Sequence, residues 1–320
     1  MTEQLELTSE PTAKSKIAIA FSALFAVLVL YAWVPILVKF SEYEISPNAT
    51  ILNIRWIGTI TLTLWNGLSL LKQRWSGNSV PVKLFPDIRT LLLLLMLAVF
   101  SVGHQLLYAW SLTQTTVANS EVLHSLTPLF TTLLGWMLLG QQFDRRFSIG
   151  IAIAIVASLA LAANDFSITI DKLQGDGLAL ISAIFWGGYL LVLEKLQTQL
   201  SINVITTWSF LLGTLLLLPI VLVTSDPLFP HSWGVWVILA LLGSVVVINQ
   251  ILVTYSLKWL SSGLVAAILL LHPGVTAILA WGIFSETLSW LNWLTFIIIL
   301  LGVYLATSSK GGMKATEDPT

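Results

Sequence analysis

Ten apolar segments follow one another along this 320-residue chain, and nothing else in the sequence restricts the possible folds as strongly. Crossing the ~30 Å hydrocarbon core of a bilayer takes ~20 residues at 1.5 Å each. The segments lie near 17–38, 48–71, 89–110, 115–139, 147–163, 177–196, 203–224, 233–257, 262–284 and 289–307. The fifth is the shortest, flanked by Arg146 and Asn164. Lipid offers the backbone no hydrogen-bonding partner, so each run is expected to be a helix that pairs its own N–H and C=O groups. The connections are short and hold turn residues, as in Asp226-Pro227 and Ser261-Ser262-Gly263, and leave no room for a soluble domain. Only 10% of residues are charged, against about 25% in a soluble domain, too few to coat a water-facing surface. The predicted class is therefore an all-α integral membrane protein of ten transmembrane helices, with the lipid bilayer as its main partner.

Charge and cysteine usage remove several functions. A net charge of −1 argues against a nucleic-acid partner. With no Cys, disulfides, zinc–thiolate sites and thiol nucleophiles are excluded. The opening residues form a polar tail (Glu3, Glu6, Glu10, Lys14) with no small-residue cleavage site after an apolar run, so the first apolar segment reads as a retained helix. If the N-terminus is cytoplasmic and the helices alternate, twelve Lys and Arg fall on the cytoplasmic side and only Lys39 and Lys172 opposite; Arg55 lies within a helix. That bias fits the positive-inside rule and an even number of spans, with tails 1–16 and 308–320 both cytoplasmic in a cell membrane.

An internal repeat is visible. Residues 104–141, moved by 145 positions, align without gaps on residues 249–286 with nine identities in 38. They include Gln105 with Gln250, Ser111 with Ser256, Pro128 with Pro273 and Trp136 with Trp281. Leucine-rich helices match leucines by chance, but not Gln, Pro and Trp in register. Five helices per half is an odd number, so the halves (17–163 and 175–307) are expected to be inverted relative to each other. Inverted repeats are a plan of secondary transporters, with the binding site near the midplane between halves.

Charges inside a bilayer cost at least ~2.5–3.5 kcal/mol, so Arg55 and Glu121 are the first candidates. They lie at similar depth; either they form a structural ion pair, or they serve a cavity that binds substrate charge or relays a proton. In the fourth helix Glu121, His124, Ser125, Pro128, Thr132 and Gly135 recur at helical spacing on one face. His124 next to a carboxylate is fit for proton coupling, or for a hydrogen bond within the bundle. Pro128 and Pro273 are expected to kink their helices at repeat-related positions. In the third helix Ser101, His104, Gln105, Tyr108 and Ser111 share a face, and Asn249 and Gln250 occupy the positions matching His104 and Gln105. Trp186 and Tyr189 share a face of the sixth helix with Ser182, while Tyr31 and Trp33 lie at comparable depth in the first. These polar and aromatic residues are expected to line a cavity, with interhelical hydrogen bonding and plain packing as the alternatives. His272 lies near the midplane, off the small-residue face of its helix. There is no G-x-x-x-x-G-K-[ST] loop for ATP and no H-E-x-x-H, and no metal or cofactor is expected.

The order of several motifs resembles a known family. Ser46-Pro47 precedes Arg55; Pro128 precedes Leu139-Gly140-Gln141; Gly175-Asp176-Gly177-Leu178-Ala179 opens the second half; Pro273 precedes Ser285-Glu286. Over nearly the whole chain this is similar to the EamA-like transporters of the drug/metabolite transporter superfamily. Members usually carry Gly-Glu in both halves, so Gln141 departs from the pattern. The resemblance implies a secondary carrier or exporter of a small molecule such as an amino acid, nucleoside, sugar or drug-like compound, with a monomer and a homodimer both open. An intramembrane enzyme acting on a lipid-linked substrate is the rival, though it needs convergent acids or a metal. Glu121→Gln is expected to impair transport while leaving membrane insertion and expression near normal; unchanged transport would leave Glu121 a structural role only.

Overall fold

The computed structural model describes residues 13–41, 43–75, 87–115, 120, 123–162, 172–224, 227–272, 274–275 and 290–308. Glu121, Pro273, Trp281, Ser285-Glu286 and most of both tails lie outside the described residues. The described chain is all-helical: α1 Ala13–Ser41, α2 Pro47–Trp75, α3 Ile88–Gln114, α4 Thr127–Leu139, α5 Arg145–Ala162, α6 Leu173–Leu196, α7 Ile202–Val223, α8 Trp233–Ser256, α9 Ser262–Leu269 and α10 Trp290–Thr307. Of these, α1, α3, α6, α7 and α8 are long and apolar enough to cross a membrane.

Two of the expected spans differ. The fourth is not one helix over 115–139: residues 125–126 form a turn and α4 starts afresh at Thr127. Pro128 therefore sits in the first turn of α4 and does not kink a continuous helix. At that position its missing N–H costs nothing, because first-turn donors have no intrahelical partner. The ninth segment likewise turns at 270–271, directly after α9.

Local chemistry sets the other ends. Ser232 and Ser261 are N-caps whose hydroxyls accept from the amides of Val235 and Leu264, each at 3.3 Å. Gly140, with φ 63°, closes α4 in the left-handed region, and Gln141 N–H reaches back to Gly135 O at 3.1 Å. Across the molecule, Glu44 in the α1–α2 loop accepts from the amides of His231 and Ser232 at 2.9 and 3.0 Å. Those bonds, with one from the Ser232 side chain leading, hold its carboxyl below the usual range.

Packing partners are mostly not neighbours in sequence. α3 packs along α6 and α1 along α8; α2 packs on α7 and α8, and α3 also on α7; α4 packs on α6 and α9, and α5 on α10. Small residues make the tightest crossings possible. A Cβ on Gly150 would lie 2.5 Å from Ala306 N and 2.6 Å from Gly302 O, and one on Gly302 would lie 2.6 Å from Ala154 N and 2.7 Å from Gly150 O. Backbone thus rests on backbone where α5 crosses α10. Where α3 meets α6, the Phe185 ring lies against Gly103 and the Phe100 ring against Gly188, and the two rings meet edge to face at 5.4 Å.

The apolar core is divided. The larger part joins α1, α3, α5, α6, α7, α8, α9 and α10 toward the end that carries Lys195 and Lys258; a smaller one joins α2, α3, α7 and α8 toward the other, and Leu62, Phe210 and Val247 form a third, small cluster among α2, α7 and α8. Gly150→Val is expected to lower stability by about 1–3 kcal/mol through overpacking. Gly67→Ala, where a Cβ meets nothing within 4 Å, is expected to leave stability equal or higher; melting of the detergent-purified variants compares the two.

Candidate functional site

Beside the larger core, which Tyr189 joins and Trp186 packs against, lies a connected polar and aromatic group built by five helices. Arg55 of α2 is 4% exposed. Its Nε and Nη2 donate to Gln105 Oε1 on α3 at 3.1 and 2.8 Å, and Nη2 also donates to Ser101 Oγ at 2.8 Å. Gly213 on α7 makes room for the guanidinium, since a Cβ there would stand 2.2 Å from Nη1. Thr59, one turn along α2, bonds the Arg55 carbonyl at 2.9 Å and lies 3.3 Å from Thr214 Oγ1 on α7, which steadies the same crossing. The Arg55 charge is within electrostatic reach of the Tyr31 and Tyr189 hydroxyls.

His104, next to Gln105, turns instead toward α6. Its Nδ1 lies 2.9 Å from Ser182 Oγ, while Ser182 donates to the His104 carbonyl at 3.1 Å. The single hydroxyl proton of Ser182 is shared between these two partners, and the direction of the Nδ1–Oγ bond is set by the imidazole tautomer. Ring contacts continue from His104: Trp186 at 4.7 Å, His124 at 5.1 Å and Tyr108 at 6.3 Å, with Tyr108 5.3 Å from His124. Trp186 stacks on Tyr189 at 4.8 Å and 8°. Tyr189 in turn donates to Gln250 Oε1 on α8.

Of the residues singled out in the sequence, Arg55, His104, Gln105, Tyr108, His124, Trp186, Tyr189 and Gln250 thus meet in one group. Trp33 does not join it: it is 41% exposed on α1, and Tyr31 of the same helix makes the inward contact, edge-on to His272 at 5.9 Å. Two positions along a helix turn a side chain by about 200°, which separates the pair. Asn249 is also apart from its neighbour Gln250. It is 0% exposed, and neither amide atom has a hydrogen-bond partner among the described residues.

One polar contact was not foreseen. Glu194, 6% exposed in the last turn of α6, accepts from Gln141 Nε2 at 2.8 Å and from the Ser262 amide at 2.9 Å. It joins the end of α4, the end of α6 and the start of α9. The only signal in the sequence is a carboxylate close to a span's end, which reads equally well as an interfacial charge. Gln141 suits this place because its amide donates, whereas an ionised Glu would repel Glu194.

Both halves of the chain match one family model, at residues 16–163 and 173–308, described as the EamA-like transporter family. The chain belongs to the EamA-like transporter family. It is therefore a multi-pass membrane protein of a transporter family. Among its relatives, an uncharacterized transporter of Archaeoglobus fulgidus is 26% identical over 218 residues, covering 65% of this chain and 74% of that protein. An uncharacterized transporter of Methanothermobacter thermautotrophicus is 25% identical over 224 residues, covering 67% of this chain and 64% of that protein. The match to the second thus spans slightly less than two thirds of its length. A crystal structure at 18% identity superposes with a TM-score of 0.72 over 91% of this chain and 96% of its own, which gives this EamA-like chain the same fold.

Among the described residues no three His, Asp or Glu side chains are placed to hold a metal ion. What the group offers is a fixed cation, an imidazole, two amides and stacked aromatic faces. Lysine has one nitrogen and cannot span Ser101 and Gln105 as the guanidinium does. Arg55→Lys is expected to cut transport about tenfold, equivalent to ~1.4 kcal/mol, with membrane insertion retained; uptake by reconstituted vesicles measures it.

Proposed function

We propose that this EamA-like protein is a secondary carrier that moves a small metabolite by alternating access, binding it at the Arg55–Gln105–His104–Trp186–Tyr189 group. The observation that carries the reading is the position of that group: polar and aromatic side chains from both halves of the chain meet beside the larger apolar core, to which Tyr189 belongs, where it gives way to the smaller ones.

The helix partners support two inverted five-helix halves. Exchange α1–α5 for α6–α10 in order: the α3–α6 pair becomes α8–α1, and α3–α7 becomes α8–α2, all of which pack together. The pairs α2–α7, α4–α9 and α5–α10 map onto themselves. The reciprocal contacts of Gly150 with Ala306 and of Gly302 with Ala154 obey the same exchange. On this reading Glu194 matters because it bridges the halves, taking one bond from Gln141 and another from Ser262. Opening the Lys195 end of the bundle requires that contact to part.

The substrate is an amino acid, nucleoside or similarly sized polar and planar compound, for which the rings and amides are suitable partners. Export is the direction implied by the family resemblance, from a cell membrane with both termini cytoplasmic. Proton coupling would run through Glu121 and His124, since the sequence holds no ATP-binding loop.

The test has two steps. A panel of metabolites grouped by charge and aromaticity is screened for raising the melting temperature of purified protein. Hits are then followed in proteoliposomes with and without an imposed pH gradient. Accumulation driven by the gradient and lost in Arg55→Ala is the expected result. Transport indifferent to the gradient would remove proton coupling, and hits unaffected by Arg55→Ala would remove this binding site.

A further inference from the structure

α4 and α5 are joined by a short loop, yet they separate beyond it, because α4 packs on α6 and α9 while α5 packs on α10. The separation leaves a groove of about 360 Å³, open to the surroundings, between Leu129, Leu133 and Trp136 of α4 and Ser148, Ala152 and Ile155 of α5. Its height is about 10 Å, seven residues of helix at 1.5 Å each. The floor includes Thr132, whose hydroxyl has no hydrogen-bond partner among the described residues.

The mouth has the opposite character. Arg145 and Arg146 begin α5 and are both exposed. Arg145 heads the stripe that Ser148, Ala152 and Ile155 continue at helical spacing, so it stands directly above the groove. The nearest carboxylate along the chain, Asp144, caps α5 by accepting from Phe147 N at 2.8 Å, which directs it to the helix. One cation at the head of an apolar slot, with a second beside it on the same helical turn, complements a molecule with an anionic head and a hydrocarbon tail.

We propose that the α4–α5 groove is a retained site for one anionic phospholipid. Its phosphate lies on Arg145 and Arg146, and the upper part of one acyl chain lies between Leu133 and Ala152. A second copy of the chain is a poorer occupant, because it would have to bring both an apolar ridge and an acidic partner into a groove of about 360 Å³. Basic residues on this side of a membrane protein also serve orientation; retention of a particular lipid is what separates the two roles. Because Thr132 and Phe143 in the groove are in turn next to Gly263 of α9, the lipid would brace α4 one layer from the contact between the halves.

Purified full-length protein is titrated with phosphatidylglycerol and, separately, with phosphatidylcholine, and bound lipid is counted by native mass spectrometry. One phosphatidylglycerol retained in preference to phosphatidylcholine is expected. Arg145→Gln with Arg146→Gln should reduce that preference by about fivefold for each charge removed, while Arg145→Lys with Arg146→Lys keeps it. Ala152→Trp fills the slot with the arginines intact and should abolish retention. Equal retention of both lipids, no retention of either, an unchanged Ala152→Trp, or a dimer lost on that substitution would each overturn the proposal.

Discussion

A guanidinium placed within a bilayer has no water to turn to, so the protein must supply its hydrogen bonds. That requirement organises the centre of this molecule. Arg55 draws Ser101 and Gln105 of α3 toward α2, and it fits because Gly213 withdraws a side chain from α7. Once Gln105 is fixed, its neighbour His104 must point about 100° away around the helix, which brings it to Ser182 and Trp186 on α6. One buried cation thus sets the register of three helices and, through them, the row of rings along the larger core.

The apolar surroundings do a different kind of work. Leucine contacts give little preference for protein over lipid, so the helices are held together by close approach and by polar bonds. Glycines against backbone at α5–α10 and against phenyl rings at α3–α6 provide the first. Asn66 to Thr207 at 2.8 Å, Asn53 to Leu228 O at 2.7 Å and Ser256 to Ala20 O at 3.0 Å provide the second. Each polar bond of this sort is worth roughly 0.6 kcal/mol, so cohesion comes from their number.

Much of this was legible from residue order alone. Apolar run length located the helices, and three- and four-residue spacing grouped Ser101, His104, Gln105 and Tyr108 on one face of α3. Spacing could not choose between Asn249 and Gln250, since adjacent residues point to different neighbours and only tertiary packing decides which one meets Tyr189. It could not choose between Tyr31 and Trp33 for the same reason. The break before Thr127 was hidden because apolar composition continues through it, although Pro at a first helical turn is a recognisable start signal. The Gly150/Ala154 and Gly302/Ala306 crossings were readable in principle, as paired small residues four apart. Glu194 was not: its value depends on Gln141 and Ser262, which are far from it in sequence and unremarkable by themselves.

The phenyl rings seated on Gly103 and Gly188 have a mechanical consequence. Sliding α3 along α6 by one turn would lift each ring out of its notch and press it against a side chain, so the two helices are keyed and must travel together. The backbone contact of Gly150 with Gly302 keys α5 to α10 in the same way. The bundle therefore resembles a cross-braced frame, in which α4 and α9 are tied to α6 at one end by Glu194 through Gln141 and Ser262. Those are the two helices whose chains turn, at 125–126 and 270–271, beside the rings of His124 and His272.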